Sequence, residues 1–281
     1  MTIPKLIIHG GAGSLEGNLS GKADLQKSLN EICKNTYKVL LKTNSYQAVL
    51  RGICYLENNQ LFNAGTGSKL QSDGRIRMSA GIMDGNLNKF SGVINIQKVK
   101  NPILIADHLQ KEKHTVIADN KATLLARNLG FPVYNPLVEK RWNEYIKNQI
   151  GNYGTVGVVA LDSKGNISAG TSTGGIGGET PGRVSDSPTV AGNYANKYAG
   201  VSATGVGEQI INSGVATKIV TRVEDGLSLK RSVNKTINEA KKLNYKFGVI
   251  GISYTGEICV EKTTDTIFYA WHDGKDNEVF H

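Results

Sequence analysis

Cysteine is scarce in this chain, with only Cys33, Cys54 and Cys259, and no two of them form a C-x-x-C pair. An odd, scattered count excludes a disulfide framework and a cysteine-held zinc, and points to apolar buried thiols in a reducing compartment. No stretch approaches the roughly 20 apolar residues that span a bilayer, so no membrane partner is expected. The opening "MTIPKLIIHGGAG" has one lysine and too short an apolar run for a signal peptide, and a cytoplasmic location is expected. Phosphate-binding signatures are also missing: there is no G-x-x-x-x-G-K-[ST], and no G-x-G-x-x-G opens a helix after a strand. Nor is there a basic run. The net charge is +9, yet no more than two Lys or Arg are adjacent and acids interrupt them, which reads as a solvated exterior and not a nucleic-acid surface.

What is abundant is glycine, 33 of 281 residues against an ordinary share of roughly 7%. The glycines are not periodic. They cluster in "HGGAG", "NAGTGS", "TGGIGG" and "TGVGE". Between the clusters, residues 5–9 read as a buried strand. Residues 23–43 and 46–58 read as amphipathic helices, the second capped by Ser45. Alternation in 74–85 and 90–97 predicts strands, and helices follow near 101–112 and 120–129. Residues 134–154 are polar, contain Pro136 and hold only a short helical pattern from Trp142 to Ile146, which marks a linker. A hairpin, a glycine loop at 174–182, helices at 208–222 and 227–243, and a final strand, turn and strand complete a layered α/β or α+β domain.

The hairpin "GTVGVVALDSKGNISAGTSTGG" carries the chemistry. Val156, Val158 and Ala160 share one face, Gly157, Val159 and Leu161 the other, and both are apolar. Its sheet should therefore be covered on both sides, by helices on one and by a second sheet or more helices on the other. A turn at 163–166 makes the numbers of paired residues sum to about 329, and those of Thr155 and Thr173 sum to 328. Two hydroxyls should meet at one end of the ladder. Either threonine could be an ordinary strand former. A threonine hydroxyl becomes a nucleophile, however, when its own free α-amino group, of reference pKa roughly 7.7–8.0, serves as base. That arrangement requires cleavage at Gly154–Thr155.

This run, together with "PGRVSDSP" at 181–188, "ATGVGE" at 203–208, "HGGAG" at 9–13, "FNAGTGS" at 62–68 and "IMDG" at 82–85, resembles the plant-type asparaginase and isoaspartyl peptidase family of N-terminal-nucleophile hydrolases. The likeness runs from residue 7 to about 270. It implies an α+β fold, a four-layer αββα sandwich of two mainly antiparallel sheets flanked by helices, over a single domain of 1–281. It also implies self-cleavage into an α subunit of 1–154 and a β subunit of 155–281, paired as a dimer of αβ units. The glycine before the scissile bond would tolerate strain and hinder attack least.

The same resemblance assigns roles. Thr155 is implied as nucleophile in both cleavage and hydrolysis, and Thr173 as its hydrogen-bonding partner. Thr204 through its hydroxyl and Gly205 through its N–H would form the oxyanion hole, and Asn63 would lie near the nucleophile. Arg183 would clamp a substrate α-carboxylate, and Asp186, with the Gly207 carbonyl, would hold the α-ammonium. Such a cleft fits L-asparagine and β-aspartyl dipeptides, small molecules whose side-chain amide would lie over Thr155. No cofactor is implied for catalysis, although "LENNQLFNAGT" resembles the family's sodium loop, with backbone carbonyls around Leu56, Glu57, Phe62 and Ala64 holding the ion. His9 is expected to be structural.

Departures from the family pattern border the pocket: Ser185 for a glycine, "IGGET" at 176–180, Val206 for a common threonine, and "SAGIMDG" for "DASIMDG". Taken singly, Arg183 and Asp186 could be a surface ion pair, and Thr204, Gly205 and Gly207 a strand end and turn. Competing activities are glycan removal from asparagine, proteolysis after aspartate, and ligand binding by an uncleaved chain.

Overall fold

The computed structural model describes residues 2–13, 20–148 and 154–280. The hairpin forms as β5 (Val156–Leu161) and β6 (Ile167–Thr173), with Val156 opposite Ser172 and Leu161 opposite Ile167. This register, one step tighter than the turn alone suggested, sets Thr155 across from Thr173. The difference lies in Asp162. Its Oδ1 accepts the Lys164 and Asn166 N–H groups at 2.9 and 3.0 Å, so that the aspartate side chain builds the turn from its first residue.

Around the hairpin an eight-stranded sheet is assembled from β1 (Lys5–Gly13), β2 (Met78–Asp84), β3 (Lys89–Ile96), β4 (Val116–Ala118), β11 (Thr266–His272) and β12 (Asn277–Phe280). The order is β12-β11-β1-β5-β6-β2-β3-β4, and only the β3–β4 pair is parallel. A four-stranded antiparallel sheet, β10-β9-β8-β7, is made of β7 (Asn193–Ala195), β8 (Ala199–Gly205), β9 (Phe247–Ser253) and β10 (Ile258–Lys262).

Alternation sorts the two faces of the hairpin as expected. Val156, Val158 and Ala160 pack with Leu29 of α1 (Ser20–Lys42) and Ile53 of α2 (Ser45–Glu57). Val159, Leu161 and Ala169 pack instead against Ile250 and Ile252 of β9. The far face of the small sheet, with Val201, Ala203 and Val249, is covered by α7 (Val215–Glu224) and α8 (Leu229–Lys242). The four-layer αββα sandwich expected from the resemblance is thus present. Each fully buried aliphatic side chain in these layers contributes about 1.5–3 kcal/mol.

Some local expectations are corrected. The cap of α2 is Asn44, not Ser45: its backbone is extended and its side chain accepts the Gln47 N–H at 2.9 Å, while Ser45 is already helical. The helix expected over 208–222 is two, α6 (Gly207–Ser213) and α7, because Gly214 adopts φ of +56° and breaks the ladder. Strand β8, "AGVSATG", has one β-branched valine and one threonine among small residues, so propensity did not reveal it. In the linker expected over 134–154, a helix α5 (Glu139–Ile146) starts three residues before Trp142. Residues 149–153 lie outside the described residues.

Small residues let the two sheets meet. A Cβ at Gly157 would fall 2.0 Å from Ser202 Oγ and 2.2 Å from His9 Nε2, and one at Gly200 would fall 3.0 Å from Val159 Cγ1. Gly157→Ala is therefore expected to destabilise the protein by about 1–3 kcal/mol through overpacking. Denaturant unfolding of the variant checks this, and wild-type stability would contradict it.

Candidate active site

Where the ladder ends, Thr155 Oγ1 donates to Thr173 Oγ1 at 3.1 Å, and the same Thr173 oxygen accepts the Gly175 N–H at 3.1 Å. Thr155 is only 7% exposed. The neighbouring Gly154 rests against Asn63, since a Cβ there would lie 2.6 Å from Asn63 Cβ. Asn63 in turn fastens the glycine loop: its carbonyl accepts the Gly174 N–H at 2.9 Å and its Nδ2 donates to the Gly175 carbonyl at 2.6 Å.

The third threonine comes from the other sheet. Gly200 lies over Val159 and Ser202 over Gly157, so one further two-residue step along each strand, in opposite directions, carries Thr204 over Thr155. Thr204 is fully buried, and among the described residues its hydroxyl has no hydrogen-bond partner. Leaving such a group unpaired costs about 1–3 kcal/mol, which makes sense for a donor kept for a ligand. Gly205 beside it has φ of +145°, and a Cβ there would meet the Lys246 carbonyl oxygen at 2.5 Å.

Arg183, Asp186 and Gly207 converge. A Cβ on Gly207 would lie 2.9 Å from Arg183 Nη2 and 3.0 Å from Asp186 Oδ1. Arg183 and Asp186 are not an ion pair. Instead Arg183 holds Glu208 through a fork, Nε to Oε1 at 2.7 Å and Nη2 to Oε2 at 2.8 Å, and this contact draws the half-exposed glutamate below its usual range. Asp186 is buried with no partner for Oδ2 among the described residues, and burial pushes its carboxyl up to about 7.

Three further side chains support the site: Glu57, which the sequence marked only through its backbone carbonyl, His9, expected to be structural, and Ser202, which it did not mark. Glu57 is buried at the end of α2, where its carboxylate accepts Ser172 Oγ–H at 2.7 Å, Asn101 Nδ2–H at 3.1 Å and Ile103 N–H at 3.1 Å. Burial outweighs these bonds and raises its pKa to about 8. It thereby ties the helix to the residue preceding Thr173. Ser202 Oγ bonds His9 Nε2 at 2.9 Å and Thr171 Oγ1 at 3.1 Å, forming a polar chain between the sheets. Burial drives the His9 pKa down to about 3, against a smaller pull from the Thr155 backbone, so the ring is neutral at pH 7 and serves as structure. Ser202 was legible only as the position two before Thr204 in "SATG", once β8 is known to be a strand.

The asparaginase family profile, Asparaginase_2, matches residues 2–153 and 146–281. The chain belongs to this family. An isoaspartyl peptidase/L-asparaginase from a Nostoc species is 47% identical over 97% of this chain and 92% of its own length. A plant-type L-asparaginase from Pyrococcus horikoshii is 35% identical over 95% of each chain, and an isoaspartyl peptidase/L-asparaginase from Xenopus laevis is 34% identical over 98% of this chain and 94% of its own. Among the described residues no helix is long and apolar enough to cross a membrane.

Two expectations follow for this family member. Gly207→Ala should crowd Arg183 and Asp186 and lower kcat/KM for L-asparagine about tenfold, at roughly 1–3 kcal/mol of overpacking, read by steady-state kinetics. Asp186 has a raised folded-state pKa, so between about pH 4 and 7 the folded chain binds more protons than the unfolded one, and stability falls as pH rises through that window. Asp186→Asn should flatten that part of the Tm–pH curve; an unchanged curve would assign the slope elsewhere.

Proposed function

We propose that the chain cleaves itself before Thr155 and then hydrolyses L-asparagine to L-aspartate and ammonia, and β-aspartyl dipeptides to L-aspartate and an amino acid. The observation that carries this reading is the Thr155–Thr173 hydroxyl contact directly after Gly154, and the strand register that directs the unpartnered Thr204 hydroxyl toward the same end of the sandwich supports it. The names of the relatives support the substrate class.

In self-cleavage, Thr155 Oγ1 attacks the Gly154 carbonyl carbon. The C–N bond breaks as the acyl group moves from nitrogen to oxygen, and water opens the resulting ester, leaving a Gly154 carboxylate and a free Thr155 amine. That amine, with a reference pKa of roughly 7.7–8.0, is poised to take the hydroxyl proton near neutral pH. In substrate hydrolysis Thr155 Oγ1 attacks the side-chain amide carbon. Thr204 Oγ1–H and the Gly205 N–H stabilise the developing oxyanion. The leaving nitrogen departs with the proton from the Thr155 amine, and water then hydrolyses the aspartyl ester.

Selectivity comes from the cleft. Asp186, charged above about pH 7, receives the substrate α-ammonium with the Gly207 carbonyl, and Arg183 receives the α-carboxylate, displacing the exposed Glu208. An α-linked peptide does not present both groups free. Removing glycans from asparagine or cutting proteins after aspartate would ask the same cleft to admit a far larger substrate. Three buried, unpaired thiols fit a cytoplasmic setting, and the family likeness supports a dimer of αβ units.

A sodium ion is proposed at the end of α2. Carbonyl oxygens there sit at the negative end of a helix, and the loop doubles back on them: Thr66 N–H reaches the Glu57 carbonyl at 2.7 Å, and a Cβ at Gly67 would lie 2.9 Å from the Phe62 carbonyl oxygen. These neutral oxygens, with those of Leu56 and Ala64, fit a monovalent cation and would brace the loop that carries Asn63.

Intact mass spectrometry tests the central reading. The wild-type chain should yield fragments 1–154 and 155–281, and Thr155→Ala should remain whole and release no ammonia from asparagine. Cleavage of Thr155→Ala at the same bond would overturn it. Replacing sodium by choline at constant ionic strength should lower Tm, as expected when a ligand of the folded state is removed, and an unchanged Tm would dismiss the ion.

A further inference from the structure

The segment before the scissile bond is fastened to the body by four contacts on one loop. Tyr134 OH meets Thr66 Oγ1 at 2.9 Å, Gly67 N–H donates to the Pro136 carbonyl at 2.9 Å, Arg141 Nε donates to the Gly67 carbonyl at 2.7 Å, and Tyr145 OH donates to the Ser72 carbonyl at 3.3 Å. Both polar groups of Gly67 are thus taken by the linker. Arg141 is the one buried residue of α5, 7% exposed, while Trp142 and Ile146 on the same helix face solvent. An eight-residue helix with no apolar face in the core has little else to hold it. The arginine is itself pre-aimed, because its Nη1 donates to both oxygens of Glu144 at 3.0 and 2.8 Å.

The loop gripped by Arg141 is the one that receives the scissile residue. Four positions before Gly67 stands Asn63, whose Oδ1 accepts the Lys69 N–H at 2.9 Å, whose other polar groups hold the glycine loop, and whose Cβ is the surface against which Gly154 rests. Loop and linker are therefore clamped together at Gly67 and meet again at Gly154, with twelve residues between Arg141 and Gly154. None of the proposed steps of substrate hydrolysis uses Arg141.

We propose that Arg141 is a positioning residue for self-cleavage: by clamping the linker helix to the Gly67 carbonyl it restrains the chain on the N-terminal side of the scissile bond and keeps Gly154 seated on Asn63, within reach of Thr155. The inference rests on the proposed cleavage at Gly154–Thr155. The physical ground is that attack needs the reacting atoms held about 3 Å apart, and a displacement of about 1 Å can cost up to about 100-fold in rate. Once the bond is cut, the linker is no longer joined to Thr155, so hydrolysis of substrate does not depend on the clamp.

The experiment follows newly made chains from cell-free synthesis, measuring the fraction cut by gel and intact mass over time, and then asparagine hydrolysis per chain that begins at Thr155. Arg141→Ala should lengthen the cleavage half-time at least about tenfold, with hydrolysis per cut chain within about twofold of wild type. Arg141→Lys, which keeps a donor for the Gly67 carbonyl but loses the fork on Glu144, should fall between. Cleavage of Arg141→Ala at the wild-type rate overturns the proposal. So does an equal loss of cleavage and of hydrolysis per cut chain, since that is what general loosening of the structure would produce. If Arg141→Ala fails to fold, Glu144→Gln and Arg141→Lys decide: slower cutting in both supports the clamp, and wild-type rates in both refute it. Thr155→Ala run in parallel separates the two readings, because its cleavage would remove Thr155 as nucleophile while the Arg141 comparison would still stand.

Discussion

Close seating of two sheets is the constraint on which this structure depends. The three threonines of the proposed site come from different layers, Thr155 and Thr173 from the large sheet and Thr204 from the small one. They can converge only if the layers approach nearer than the roughly 10 Å typical of stacked sheets with ordinary side chains between them. Gly157 and Gly200 supply that approach, and the polar chain from His9 through Ser202 to Thr171 fills the remaining space with bonded groups instead of a void. Without the glycines, the hydroxyl of Thr204 would be carried away from Thr155.

Charge is handled in the same economical way. Three ionisable side chains near the site are buried and displaced from their usual ranges: Glu57 upward by burial in spite of three donors, Asp186 upward by burial with one oxygen unpartnered, and His9 downward by burial. Glu57 is held by its three donors and His9 by Ser202 at Nε2, and both act as braces. Asp186 differs because its Oδ2 is left unpartnered beside Gly192 while its Oδ1 faces Gly207, so its burial is uncompensated.

Much of this was readable in the sequence because the decisive features are local. Alternation of Val156 to Leu161 fixed the two faces of the hairpin, and turn counting brought Thr155 to within one position of Thr173; Asp162 took up the last step. What was not readable depended on partners remote in sequence. Strand β8 is built of small residues that only a facing sheet makes suitable for a strand, so Ser202 and its link to His9 stayed hidden. Glu57 appeared as a carbonyl donor in a loop, and its side chain's bond to Ser172 spans 115 positions. Ser45 reads as a cap because its residue type suits that position, and only backbone geometry places the cap one residue earlier, at Asn44. The linker looked polar and unattached because Arg141, a residue that ordinarily marks solvent, is the one that α5 buries.

The Arg183–Glu208 fork carries a consequence for how a ligand would be weighed. An arginine that already holds a carboxylate gains little Coulomb energy when a second carboxylate replaces the first. Glu208 is 55% exposed on its side chain, so it surrenders its place to water at small cost, and in the proposed binding mode entry of an α-carboxylate would be an exchange of one counter-ion for another. In an exchange of that kind the net charge of the pocket is conserved, and the arginine is never left bare while it waits. Discrimination then falls to shape and to the ammonium receptor, and an anion without the matching cation has little with which to outbid the glutamate.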